Sequence, residues 1–425
     1  MTLIWLTDLM QTVLVGIVGL IVVYTLRHYA FTLNRLFGTQ RHPYIDIDVA
    51  NWPSVTVLVA AHNEEQVIED SLRCLMEVDY PLERLTVMPM NDRSQDRTRE
   101  IIDSLVLQFP GRIEPFHRTD GKPGKAAALK DAMKLVKSDV IVVFDADYMP
   151  STGLIKQLVA PLFDPEVGAT MGRVVPQNAS ANLLTRLLDL ERSGGYQVDQ
   201  QARMNLHLVP QYGGTVGAVR VRALEAVGGW REDVLAEDTD LTYRLLLAGW
   251  QTVYQNRAEC YEEVPQNWQV RIRQIMRWTK GHNTAMYAYS LRMFTCPHLS
   301  LTAKLDGLLL LGVYAMSPLL LLGWGISIVM SYLTHSRLTD GALVLFGLML
   351  YSALGNFAAF FEIGAAVRLD GNRNRIRLLP LNQFGFLVSM VSISRATVSQ
   401  WVDGLLKREL RWDKTTRYRR PRPPH

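Results

Sequence analysis

The stretch DVIVVFDAD, Asp139 to Asp147, decides the fold class and supplies the first candidate site. Its apolar run, Val140 to Phe144, is rich in β-branched residues and shows no polar alternation. Such a run reads as a strand buried on both faces. Two carboxylates, Asp145 and Asp147, follow where that strand ends. From there both can reach one hard divalent cation, with oxygen ligands that suit Mg2+ or Mn2+. A solvated turn is the alternative for any lone D-x-D.

Working outward, the pattern repeats. SVTVLVAA (Ser54 to Ala61) and RLTVMPM (Arg84 to Met90) read as strands. EEQVIEDSLRCLM, RTREIIDSLVLQF and KAAALKDAMKLV have helical spacing. Strand and helix alternating in this way imply a parallel sheet covered on both faces, with ligands beyond the C-terminal ends of the strands. The first three strands run into AAHNEE, MNDRSQD and FDADYMP, so acid-bearing loops converge on one sheet edge.

Further along, GKPGKAAALK sets Lys122 and Lys125 at a helix start, where backbone N–H groups favour phosphate. Exposed loop lysines are the plainer reading. QYGGTVGAVR reads as a flexible loop before another helix, in which Gly213 and Gly214 permit close backbone approach. VLAEDTDLTYRLLLAGW gathers Glu237, Asp238 and Asp240 ahead of a helical run. Acids in a first helical turn are favoured by the helix dipole alone. Partly buried together, one of them gains proton affinity, the condition for a general base. In RIRQIMRWTKG, Gln274, Arg277 and Trp278 share one helical face, which Arg271 extends, whereas Arg273 and Lys280 are free to meet anionic lipid.

Composition adds a membrane. The chain has 425 residues, 48% hydrophobic and 20% charged, with a net charge of +4. Bulk charge of this size gives no argument for nucleic acid. Its three cysteines are far apart and fit a reducing compartment. Three apolar stretches, about 9–26, 307–333 and 342–367, are near or above the length that crosses a bilayer. Arg27, His28 and Arg35 follow the first and place residues from about 27 to 305 on the cytoplasmic side. A fourth segment, about 384–406, carries Arg395 and reads as a helix lying in the cytoplasmic interface. A basic tail ends the chain. The expected domains are 1–52 (membrane helix and linker), 53–300 (cytoplasmic α/β domain) and 301–425 (two spans, interface helix and tail).

Taken in order, AAHNEE, NDRSQD, GKPGKAAAL, FDAD, AED and QIMRW resemble the membrane-integrated family 2 glycosyltransferases, such as cellulose, hyaluronan, mannan and poly-N-acetylglucosamine synthases. The resemblance implies a GT-A, Rossmann-like domain in the inner membrane's cytoplasmic face, an inverting mechanism, a UDP-sugar donor and Mg2+ or Mn2+. It implies Asp92 at the nucleoside, Lys125 and Asp145 at the donor phosphates, and Asp145 with Asp147 at the metal. Asp238, beside Glu237 in the substrate site, would be the catalytic base. Arg277 would hold the diphosphate and Trp278 the acceptor, with Gln274 in the same substrate site. Departures are Asn91 for the first acid of D-D-G-S, Ala236 for the threonine of T-E-D, and Gly213 for a cysteine. The expected product is a polysaccharide, with a homo-oligomer or export partner to complete a channel. A lipid acceptor is the alternative. A transporter or scaffold is a third reading, for which the acidic loops have no role.

Overall fold

A computed structural model describes residues 2–42, 51–333, 357–371 and 373–406. Helix α1 (Thr2–Phe37) precedes one mixed sheet. Its strands are β1 (Val55–Ala61), β2 (Leu85–Asp92), β3 (Phe116–Arg118), β4 (Val140–Asp145), β5 (Met149–Pro150), β6 (Val167–Pro176), β7 (Gly217–Arg220) and β8 (Gln251–Glu262), in the order β3-β2-β1-β4-β7-β6-β8-β5. The first four are parallel, as are β6 and β8. By contrast, β7 runs antiparallel to β4 and β6, and β5 antiparallel to β8.

The sheet is therefore not the parallel one that the alternation implies. The reason is β7, a four-residue strand too short to show a pattern in the sequence. It pairs Gly217 with Val143 and Arg220 with Val140, so it enters where β4 leaves. That reversal carries the glycine loop to the acidic end of β4, where Asp145 N donates to Thr215 Oγ1 at 3.3 Å.

Side chains of each strand alternate between two cores, which explains the unbroken apolar runs. Val140, Val142 and Phe144 join one core, under α2 (Ile68–Met76), α3 (Thr98–Gln108) and α5 (Leu154–Val159). Ile141 and Val143 join the other with Leu129, Trp230 and Leu241. Helices α4 (Lys125–Ala132), α8 (Val221–Ala226) and α9 (Glu237–Leu247) cover that face.

Between β6 and β7 the chain forms α6 (Leu183–Ser193), opened by a reciprocal Asn182–Thr185 capping box. It continues through a π-helix, Gly194–Gln200, into α7 (Gln201–Asn205). After β8 come α10 (Trp268–Thr295), α11 (Leu301–Leu311), α12 (Met316–Leu333), α13 (residues 357–369) and α14 (Leu379–Leu405).

The helices Trp5–Phe37, Val313–Leu333 and Arg373–Leu405 are long and apolar enough to cross a membrane. Several expectations shift. The first helix runs on past residue 26 to Phe37. The second expected span is broken at residue 312, its first turns belonging to α11. The third, 342–367, lies largely outside the described residues. The expected interface helix is one 27-residue helix long enough to span, packed on α10 and α12. Asn382, Ser392, Ser394 and Thr397 are buried along it, and Asn283 Nδ2 of α10 donates to Thr397 Oγ1 at 3.1 Å.

At Gly281, α10 touches the strand of chain that enters α9. A Cβ there would stand 3.0 Å from Ala236 N and 2.7 Å from Ala236 Cβ. Gly281→Ala is expected to force the two segments apart at a cost of about 1–3 kcal/mol. Thermal unfolding of the detergent-purified protein should show a lower midpoint, and an unchanged midpoint refutes the close-packing argument.

Candidate active site

A cavity of about 610 Å³ lies beyond the C-terminal end of β4. Lys125, first residue of α4, reaches into it. Its Nζ donates to Asp145 Oδ1 at 2.6 Å and to Gly214 O at 2.8 Å, and lies 3.8 Å from Glu237 Oε1. Burial works against the ammonium charge, but Asp145, Glu237 and Asp238 outweigh it and raise the Lys125 pKa. Gly214 can hold this position because its φ is +68°, and a Cβ would meet Asp238 Cβ at 2.9 Å.

The α9 acids divide by environment. Asp240 turns into the core, where Arg244 Nε at 2.7 Å and Tyr289 OH at 2.5 Å hold it. Glu237 and Asp238 line the cavity. Burial raises the pKa of Glu237, with Lys125 opposing and Asp238 assisting. Asp238 Oδ1 accepts from Thr239 N at 2.7 Å.

From the other side α10 contributes Gln274, Arg277 and Trp278 to the same cavity. Arg271 is buried behind them, donating to Glu191 at 2.6 Å and to Gln274 Oε1 at 3.0 Å. The guanidinium carbons of Arg271 and Arg192 stand 5.4 and 5.5 Å from the Trp278 ring centre. Arg192 Nε donates to Glu262 Oε1 at 2.6 Å, and Tyr148 OH to Glu262 Oε2 at 2.9 Å. Arg277 forms no ion pair among the described residues. Lys280 is paired with Asp403 of α14 at 2.9 Å, so its charge is not left over for lipid head groups.

The wall beside helix α1 was not foreseen. Arg27 and His28 read in sequence as cations flanking a span, yet both line the cavity. Arg27 forms ion pairs with Asp199 at 2.9 Å and Asp306 at 3.1 Å, and Arg203 with Asp199 at 2.9 Å and Asp306 at 3.3 Å. His28 Nδ1 lies 2.5 Å from Glu362 Oε2. The partners of Arg27 and His28 sit more than 100 residues away, beyond any local spacing signal.

Of the expected site residues, Lys125, Asp145, Asp147, Glu237, Asp238, Gln274, Arg277 and Trp278 meet in this cavity. Asp92 does not line it. Its carboxylate, at the end of β2, accepts from Arg93 Nε at 2.9 Å, Arg118 Nη1 at 3.0 Å and Gly124 N at 2.9 Å. Lys122 offers Arg118 its carbonyl. Sequence reasoning missed Arg192, Tyr196, Gln200, Gln211, His282 and Tyr314, all on the cavity wall. For His282 a signal existed, since it falls one turn after Trp278 on the same face.

Among the described residues no three His, Cys, Asp or Glu side chains form a complete metal cage. Asp145 and Asp147 supply two hard carboxylates to the cavity. That pair fits a cation taking its remaining ligands from substrate phosphates and water, as magnesium does.

The chain is similar to known proteins in sequence and in fold. The family described as glycosyltransferase like family 2 matches residues 53–281. The probable glycosyltransferase YdaM of Bacillus subtilis is 33% identical over 248 residues, 57% of this chain and 58% of its own. Probable glucomannan 4-beta-mannosyltransferase 1 of Arabidopsis thaliana is 30% identical over 244 residues, 56% of this chain and 44% of its own. The chain thus spans about half the length of the curated relatives it matches. Among solved structures, mannosyltransferase PcManGT from Pyrobaculum calidifontis, in complex with GDP-Man and Mn2+, has a TM-score of 0.62 at 22% identity, covering 84% of this chain and 98% of that one. That likeness is one of fold, the GT-A-like mixed α/β sheet. With more than half of its residues matched from the first strand to Gly281, the chain belongs to glycosyltransferase family 2.

Proposed function

We propose that the protein is an inverting glycosyltransferase that moves a sugar from a nucleoside-diphosphate donor to a growing polysaccharide at the cytoplasmic face of a membrane. The observation that carries this reading is the single cavity in which Lys125, Asp145, Asp147, Glu237, Asp238, Gln274, Arg277 and Trp278 meet. Carboxylates, an ammonium and a guanidinium without an ion pair among the described residues are what a phosphorylated donor needs.

Lys125 and Arg277 hold the donor diphosphate, with Gln274 beside them. Mg2+ or Mn2+ at Asp145 and Asp147 supplies neutralisation of charge on the leaving group when bound. Asp238 accepts the proton of the acceptor hydroxyl, whose oxygen attacks the anomeric carbon opposite the diphosphate. Glu237 keeps Lys125 in place. Trp278, fixed by two flanking guanidiniums, offers its ring to an acceptor sugar. Asp92 serves the nucleoside end of the site. UDP is the first-choice nucleotide from the motif resemblance. The mannosyltransferase names of the Arabidopsis relatives and the GDP-Man bound in PcManGT put GDP-mannose beside it for testing.

The wall beside helix α1 favours an uncharged acceptor, such as a glycan, over one that carries a phosphate. Arg27, Arg203 and His28 are matched by Asp199, Asp306 and Glu362, so the wall offers hydrogen bonds without surplus positive charge. The apolar helices embed this end in the bilayer, and a second copy or an export partner completes the route across it.

A panel of UDP-sugars and GDP-mannose should find one donor from which purified protein releases nucleoside diphosphate. EDTA should abolish that release, and Mg2+ or Mn2+ restore it. Release that is indifferent to EDTA rules out the metal assignment. Asp238→Asn should lower turnover by about 10²- to 10⁴-fold, and full activity would end its candidacy as base. Trp278→Ala should shorten the product on a gel, and unchanged product length would remove it from the acceptor site.

A further inference from the structure

We infer that His282 is a positioning residue for Asp238, acting through the hydroxyl of Thr239. The inference rests on the reading of Asp238 as the base. His282 lies on α10 one turn beyond Trp278 and two beyond Gln274, and like them it lines the cavity. Its Nδ1 is 3.1 Å from Thr239 Oγ1. Gln211 Nε2 donates to the same oxygen at 3.0 Å. Thr239 in turn meets Asp238 Oδ1 twice, through its backbone N at 2.7 Å and its Oγ1 at 3.4 Å.

With the imidazole hydrogen on Nδ1, the tautomer that the inference requires, hydrogen counting gives this chain its direction. A hydroxyl has one hydrogen and two lone pairs. When Gln211 and the Nδ1–H of His282 both donate, the lone pairs are filled and the hydrogen is left for Asp238 Oδ1. That oxygen is then held by two donors from Thr239, and the other carboxylate oxygen is left for the acceptor hydroxyl. Without the imidazole, the Thr239 hydroxyl can turn away and Asp238 keeps only the backbone donor.

Two further features hold the ring to this task. Tyr314 packs edge-on against it, with ring centres 4.8 Å apart. Burial lowers the imidazole pKa, against the pull of the Asp238 carboxylate, and keeps the ring neutral with a single N–H. The neighbouring cation, Lys280, is bound to Asp403 on α14 instead. The Gly281 contact with Ala236 fixes the distance between α10 and α9 that the chain needs.

The test uses the full chain in detergent and whichever nucleotide sugar the donor panel identifies. His282→Ala should lower kcat roughly 10- to 100-fold with little change in donor KM, the loss of one hydrogen bond to a charged group. His282→Asn, whose side-chain amide falls near the Nδ1 position, should recover most of that loss. Thr239→Val should match His282→Ala, and the double variant should be no worse than either, because both break one link. Wild-type kcat in His282→Ala, a defect confined to donor KM, no recovery in His282→Asn, or multiplying losses in the double variant would each overturn the inference. Asp238→Asn measured alongside separates the two readings. If it stays active, the base assignment fails first. If it is dead while His282→Ala is normal, only the role of His282 is lost.

Discussion

One ammonium group ties this site together. Lys125 Nζ joins the start of α4, the end of β4, the glycine loop and the first turn of α9. Four acids, Asp145, Asp147, Glu237 and Asp238, crowd the cavity around it. With no cation among them, their mutual repulsion in a partly buried space would push these segments apart. The arrangement thus stores an electrostatic demand for positive charge. Lys125 meets part of it, and a divalent cation is suited to meet the rest.

The first half of the fold was legible because its signals are local. Val55–Ala61 and Val140–Asp145 are buried on both faces, so composition alone marks them as strands. The second half was less so. Four-residue β7 has no period to detect, yet it reverses the sheet and sets Thr215 against Asp145. In the same way, α11 merges in hydropathy with α12, although a 3-10 turn, Val313–Ala315, separates them.

The candidate site divides along the same line. Gln274, Arg277 and Trp278 could be grouped from their helical spacing, and Asp145 with Asp147 from adjacency. Nothing local marked Arg192, whose partner Glu262 is 70 residues on, or the pairing of Thr239 with His282, 43 residues apart. The place of Arg27 and His28 in the cavity wall was hidden for a related reason. A charge following an apolar run looks like a boundary marker, and only its distant acidic partners show that it faces inward.

The π-helix at Gly194–Gln200 has a consequence for the whole length of the cavity. It joins α6 and α7 into one rod that places Arg192 near the Trp278 ring and Arg203 beside Asp199 and Asp306. The wider turn changes the angular phase between those two arginines. Deleting one residue from it would rotate everything downstream by about 100° about the rod axis. Arg203 would swing away from Asp306 while Arg192 stayed in place. The segment therefore acts as a phase adjuster, setting in register the two ends of a cavity that no single regular helix would serve.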